Sequence, residues 1–174
     1  MLFRSGVTVH SYLGLDSAIV SESAPTFIQK NNIQSYVYDN SIIDTSIFTK
    51  LGAFVDGYSY VQNANGVYRI DFESSLDNKS LIEDVVNFVG AIVQSGTGFE
   101  YRDISNDVIY TLDIDSLERM EQISEYFYVY QSLDGKEHLY TYDKVSKALV
   151  KYDSVSKVFQ DANYPEYFHF NYLK

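Results

Sequence analysis

Three turn dipeptides organise this sequence. Asn65-Gly66, Asn106-Asp107 and Asp134-Gly135 each lie between two runs rich in Tyr, Val, Ile or Phe. Residues of these types fit a pleated, half-buried surface. Asn-Gly and Asp-Gly readily take the positive φ angles of a tight turn. The pattern predicts hairpins over Phe54–Gln62 and Val67–Phe72, over Gly98–Asp113, and over Tyr126–Gln131, Glu137–Asp143 and Ala148–Asp153. Tyr142-Asp-Lys-Val-Ser-Lys147 and Tyr152-Asp-Ser-Val-Ser-Lys157 repeat at a step that suits one strand plus one turn, and so read as successive hairpins of one sheet. The repeat is too short for a propeller, which needs its motif blade after blade. The aromatic tail from Tyr164 reads as a last edge strand.

Between the hairpins, other segments carry helical signals. Ser80 and Glu83 form a capping box ahead of Leu81, Ile82, Val85, Val86, Val89, Ile92 and Val93, with Gly96 as a stop. This predicts a central amphipathic helix over Leu81–Gln94. Ser41 with Asp44, then Ile43, Ile47, Phe48 and Leu51 before Gly52, predicts a shorter helix. A third starts at Asp115, with Glu118 in its first turn and Leu117, Met120 and Ile123 facing inward. Leu13, Leu15, Ala18 and Ile19, and then Pro25 with Phe27 and Ile28, fit further short helices. The expected fold class is therefore α+β: an antiparallel meander sheet packed against a central helix, with two or three shorter helices. It forms a single domain over 1–174, helical to about residue 52 and sheet-plus-helix from about residue 53.

Composition narrows the function classes. The chain has 174 residues and no cysteine, which excludes disulfides, thiolate metal sites and a cysteine nucleophile. Its net charge of −11 argues against binding nucleic acid or an anionic membrane. No apolar run reaches the roughly 20 residues that cross a bilayer. The start Met1-Leu-Phe-Arg-Ser-Gly lacks the order of a signal peptide, so a cytoplasmic location is expected.

Catalytic motifs are sparse. No Gly-x-Ser-x-Gly elbow occurs. Ser95-Gly96-Thr97-Gly98 lacks the lysine of a phosphate loop. His10, His138 and His169 stand far apart, outside any metal-ligand spacing, and His138 reads as a half-exposed strand residue. Asp113-Ile-Asp115 could present two carboxylates to a divalent cation, but its place before a helix makes capping the better account. No cofactor, metal or enzymatic activity is expected.

Two features are uneven. Between Glu100 and Glu125, eight acidic residues face only Arg102 and Arg119, a net −6, and Asp103, Asp107, Glu118 and Glu121 are its candidate contact residues. The following stretch, residues 136–157, is net +2. Tyr126, Tyr128 and Tyr130 share one strand face, and Tyr140 and Tyr142 share another. If that face is exposed, its tyrosines suit a protein interface; if covered by the central helix, they are core. The run Lys136-Glu-His-Leu-Tyr-Thr-Tyr-Asp through Ser156-Lys-Val-Phe159 resembles the C-terminal meander of a superfamily of immunity proteins, over about 25 residues of a pattern many antiparallel sheets share. The N-terminal part lacks that family's helix–Gly-Gly loop, and no residue roles follow.

The expected function is a non-catalytic protein-binding or assembly subunit, such as a virus-particle component, acting through an acidic, Tyr-rich sheet surface on like subunits or a basic protein. The alternative is an acidic immunity or anti-defence inhibitor that covers a basic toxin or nuclease.

Overall fold

A computed structural model describes residues 15–21, 24–39, 41–72, 79–96, 98–160 and 168–172. Strand makes up 60% of the structure, and no α-helix occurs among the described residues. Four antiparallel sheets follow one another in a propeller-like ring. The first holds β1 (Ser17–Ile19), β2 (Thr26–Lys30), β3 (Ile33–Tyr38) and β4 (Ser41–Ile43). The second holds β5 (Lys50–Leu51), β6 (Tyr58–Asn63), β7 (Gly66–Asp71) and β8 (Lys79–Leu81). The third holds β9 (Val85–Val89), β10 (Ile92–Ser95), β11 (Gly98–Arg102) and β12 (Val108–Leu112). The fourth holds β13 (Met120–Ser124), β14 (Phe127–Gln131), β15 (Glu137–Asp143), β16 (Ala148–Gln160) and β17 (Phe168–Tyr172). Strands pair in chain order within every sheet. The sheets begin at residues 17, 50, 85 and 120, a step of 33 to 35 residues.

The expected α+β fold is thus corrected, and the central helix is its largest error. Leu81–Gln94 forms the end of β8, then β9 and β10. Val89 pairs with Ile92 across the two-residue loop Gly90-Ala91, and Gly90 sits at φ 57°. Glycine in the first loop position is what a tight hairpin turn needs. A Cβ at Gly90 would also collide with the Tyr128 hydroxyl. Ile92 and Val93 are both buried, so both faces of β10 are covered. A strand buried on both sides carries a continuous apolar run, which periodicity cannot tell from a buried helix.

The shorter helices fail for related reasons. Ser41–Ile43 and Lys50–Leu51 are strands. Ser17–Ile19 and Thr26–Lys30 pair as β1 and β2, and Asn31 and Asn32, both at positive φ, turn the chain into β3. Leu13 lies outside the described residues. The helix expected at Asp115 is one 3-10 turn, Leu117–Arg119, and Ser116 caps it by accepting from the Glu118 amide. The predicted hairpins are present, with Ala64-Asn65 rather than Asn65-Gly66 as the loop of the first. Tyr142–Lys147 runs from β15 into its turn, whereas Tyr152–Lys157 lies wholly inside β16, so the ten-residue likeness is not a structural repeat.

Tyrosine fastens the sheets to one another. The Tyr36 hydroxyl of β3 donates to the Gly52 carbonyl (2.6 Å) in the second sheet. Tyr58 and Tyr60 of β6 donate to the Arg102 carbonyl and to Asn106 Oδ1 (3.2 Å) in the third. The Ala91 amide of the third sheet donates to the Tyr128 hydroxyl of the fourth (3.0 Å). Glu125 joins three sheets: its Oε1 accepts from Ser21 Oγ (2.8 Å), the Asp56 amide (3.2 Å) and the Tyr126 hydroxyl (2.9 Å). A tyrosine spans an inter-sheet gap with an apolar ring and satisfies a backbone group with its polar tip.

Candidate functional site

The tyrosines expected on a surface lie in this core. Tyr128 and Tyr140 pair across β14 and β15, and both are 0 % exposed. Tyr130 is 4 % exposed; Tyr126 and Tyr142 are half-buried. Tyr142 stacks on the buried Tyr101, with ring centroids 5.0 Å apart. The row therefore offers no open surface, and the neighbouring sheets, not a helix, cover it.

The acidic residues do not share one face either. Asp103 and Asp107 belong to the β11–β12 loop, where Asp103 Oδ1 accepts from the Ser105 (2.9 Å) and Asp107 (3.0 Å) amides. Glu118 and Glu121 lie on the linker and strand that follow β12, so antiparallel pairing sets them toward the opposite end of the third sheet. Glu100 is engaged internally: the buried Arg102 binds it (2.8 Å) and Asp84 (2.5 Å). Arg102 holds the Asp84 carboxyl below its usual range.

One open cleft of about 500 Å³ gathers ionisable groups that sequence spacing had kept apart. Its walls include Asp113 and Asp115 after β12, Tyr130 on β14, Ser132, Asp134 and Lys136 in the β14–β15 turn, His138 on β15 and Lys151 on β16. Asp115 accepts from the Tyr130 hydroxyl and its amide donates back to it (3.0 Å). Burial, aided by the Asp115 carboxylate, raises the Tyr130 hydroxyl. Ser116, not Asp115, is the helix cap, a second correction. Among the described residues no group of three His, Asp or Glu side chains is placed to hold a metal ion. His10 lies outside the described residues, as does the side chain of His169.

His138 Nδ1 lies 3.1 Å from Asp153 Oδ1, and its Nε2 lies 3.2 Å from Ser132 Oγ. This connectivity resembles a serine–histidine–aspartate triad, but Ser132 Oγ also faces two other acceptors. The Ser132 hydroxyl has a single hydrogen, and Asp134 Oδ1 stands 2.5 Å from it. That bond holds the Asp134 carboxyl far below its usual range. The Lys136 carbonyl lies 3.1 Å from Ser132 Oγ as a further acceptor, so the Ser132 hydrogen is not reserved for His138 as nucleophilic attack requires. Lys151 Nζ lies 2.9 Å from Asp153 Oδ1 and depresses that carboxyl too.

The second opening is a groove of about 710 Å³ between the first and second sheets. Ile33, Ile42, Ile43 and Phe48 line it beside Asp44, Lys50 and backbone of β3 to β5. Ile33 is 69 % and Ile42 65 % exposed, and Ile47 of the same β4–β5 loop stands out as well. Lys50 is turned inward: its Nζ donates to Asn87 Oδ1 (2.6 Å) and the Phe88 carbonyl (2.7 Å), and burial pushes it down to about 8. Asp44 stays at the surface, its carboxyl lowered by hydrogen bonds from Ser46. Sequence reasoning missed this groove because it placed Ile43, Ile47 and Phe48 on the buried stripe of a helix. The β-branched run Ser41-Ile42-Ile43 was the signal for a strand there.

No helix among the described residues is long and apolar enough to cross a membrane. No protein-family model matches this chain, and neither a curated protein nor a solved structure is similar to it.

Proposed function

We propose that the protein is a non-catalytic protein-binding or assembly module, and that its partner docks at the groove beside β4. The supporting observation is the exposure of Ile33, Ile42 and Ile47 around an opening at a sheet edge. Contiguous exposed apolar side chains mark contact surfaces more often than isolated ones do. β4 is the terminal strand of the first sheet, so one row of its backbone groups is unpaired within that sheet and suits strand addition. The occupant is an extended segment of another protein, apolar at alternate positions and flanked by basic residues. Asp44 is the outward-facing charge of the groove, Lys50 is engaged inside, and the whole chain carries −11.

The test is partner isolation from the native source at low and high salt with two variants. An Ile33→Ser/Ile42→Ser double variant loses the partner, while Asp103→Lys/Asp107→Lys keeps it. The reverse pattern, with binding abolished by salt, would instead favour the acidic inhibitor of a basic protein. Covalent labelling of Ser132 by a fluorophosphonate would refute the non-catalytic reading.

A further inference from the structure

We propose that residues 155–172 form a separate two-stranded unit, the first hairpin of a fifth sheet, which opens and closes independently of the four sheets before it. Spacing leads there first. The sheets begin at residues 17, 50, 85 and 120, and one further step of 33 to 35 residues lands on 153–155. The pairing changes at that place. β16 runs for 13 residues, Ala148–Gln160, and takes two different partners. Its residues from Ala148 to Val155 pair with β15, from Asp143 back to Glu137. Its residues from Val155 to Gln160 pair with β17, from Tyr172 back to Phe168, with a register shift between Val155 and Val158. Val155 is buried and belongs to both ladders. β16 is therefore the fourth strand of the fourth sheet up to Val155 and the first strand of the next unit beyond it.

Topology and sequence agree with this division. In each of the four sheets the first two strands are antiparallel neighbours, as the distal half of β16 and β17 are. The tripeptide Glu125-Tyr126-Phe127 leads into β14, the second strand of its sheet, and Glu166-Tyr167-Phe168 leads into β17. β14 starts 7 residues after Met120 and β17 starts 13 after Val155, so the connection is longer and the order is kept. β17 thus takes the place of β14. Units joined in series contact mainly their neighbours, and each can open with its own free energy. A hairpin of two strands is marginal by itself. Among the described strands β17 pairs with β16 alone, so this unit is the first to open.

Native-state amide exchange on the full chain tests the division. Amides at 158–160 and 168–170 should exchange roughly tenfold or more faster than those of β14 and β15, and as one group. Protection should fall in a single step at Val155. Val158→Pro and Phe159→Pro take out successive amides opposite Phe170 and His169. The more damaging of the two should abolish protection in β17 and leave that of β14, β15 and 148–153 within about twofold. A gradual decline of protection toward Tyr172, which a fraying strand end would give, overturns the proposal. So does equal protection on both sides of Val155, or a proline variant that loosens β14 and β15 as much as β17.

Discussion

The inner face of the fourth sheet and the outer end of the first both carry large side chains with apolar bodies, yet one is sealed and the other open. Tyr128 and Tyr140 are wholly buried, whereas Ile33 and Ile42 are mostly exposed. The difference lies in what each side chain can reach. A tyrosine on the fourth sheet faces the third sheet, where its ring packs and its hydroxyl can meet a backbone group such as the Ala91 amide. An isoleucine at β4 has only a shallow groove beside it. Residue type therefore misleads about surfaces: the residues most typical of interfaces form this core, and the aliphatic ones line its opening.

Alkali breaks the sealed side most severely. Burial raises the hydroxyls of Tyr36, Tyr58, Tyr101, Tyr128 and Tyr140, and pushes Tyr60 up to about 12. A raised folded value means the unfolded chain loses its protons first. The stability from these groups is thus complete below pH 10, the ordinary tyrosine value, and drains away as pH climbs toward about 12. Circular dichroism against pH should show cooperative unfolding in that window, coincident with tyrosinate absorbance at 295 nm. Tyrosinate absorbance that develops ahead of unfolding would show that the rings are accessible.

Next in size is Glu125. Its replacement by Ala strands the Ser21 hydroxyl and the Asp56 amide at the meeting of three sheets, while the Tyr126 hydroxyl keeps Asp56 Oδ1 as acceptor at 2.8 Å. A loss of about 3 kcal/mol in urea unfolding is expected. Glu125→Gln, which keeps an acceptor oxygen, should lose less.

The smallest effect lies at the groove. Lys50 titrates near 8 in the folded protein and 10.5 in a free chain, so between those values the unfolded state binds more protons and stability rises with pH. Partial solvation limits the gain to about 1 kcal/mol. It is read between pH 8 and 10, before tyrosine ionisation dominates, and Lys50→Met should flatten it.

Much of the sheet content was legible. Asn106-Asp107 and Asp134-Gly135 marked real hairpin ends because positive φ is a local demand that sequence states directly. That Tyr126, Tyr128 and Tyr130 share one strand face followed from alternation alone. Which side of that face was covered did not, because the answer depends on sheets remote in sequence. The ring stayed hidden because its first strands, such as Val85–Val89 and Met120–Ser124, share spacing but not residues. The cleft stayed hidden for the same reason: Asp113, Ser132, His138 and Lys151 come from separate strands and turns.

The central claim is that tyrosine hydroxyls fasten neighbouring sheets, and Tyr128→Phe set against Tyr140→Phe tests it most directly. Tyr128 satisfies the Ala91 amide, whereas the buried Tyr140 hydroxyl finds no hydrogen-bond partner among the described residues. Chemical denaturation should show Tyr128→Phe destabilised by about 1–3 kcal/mol and Tyr140→Phe unchanged or slightly more stable. Equal losses in the two variants, or a larger loss for Tyr140→Phe, would contradict it.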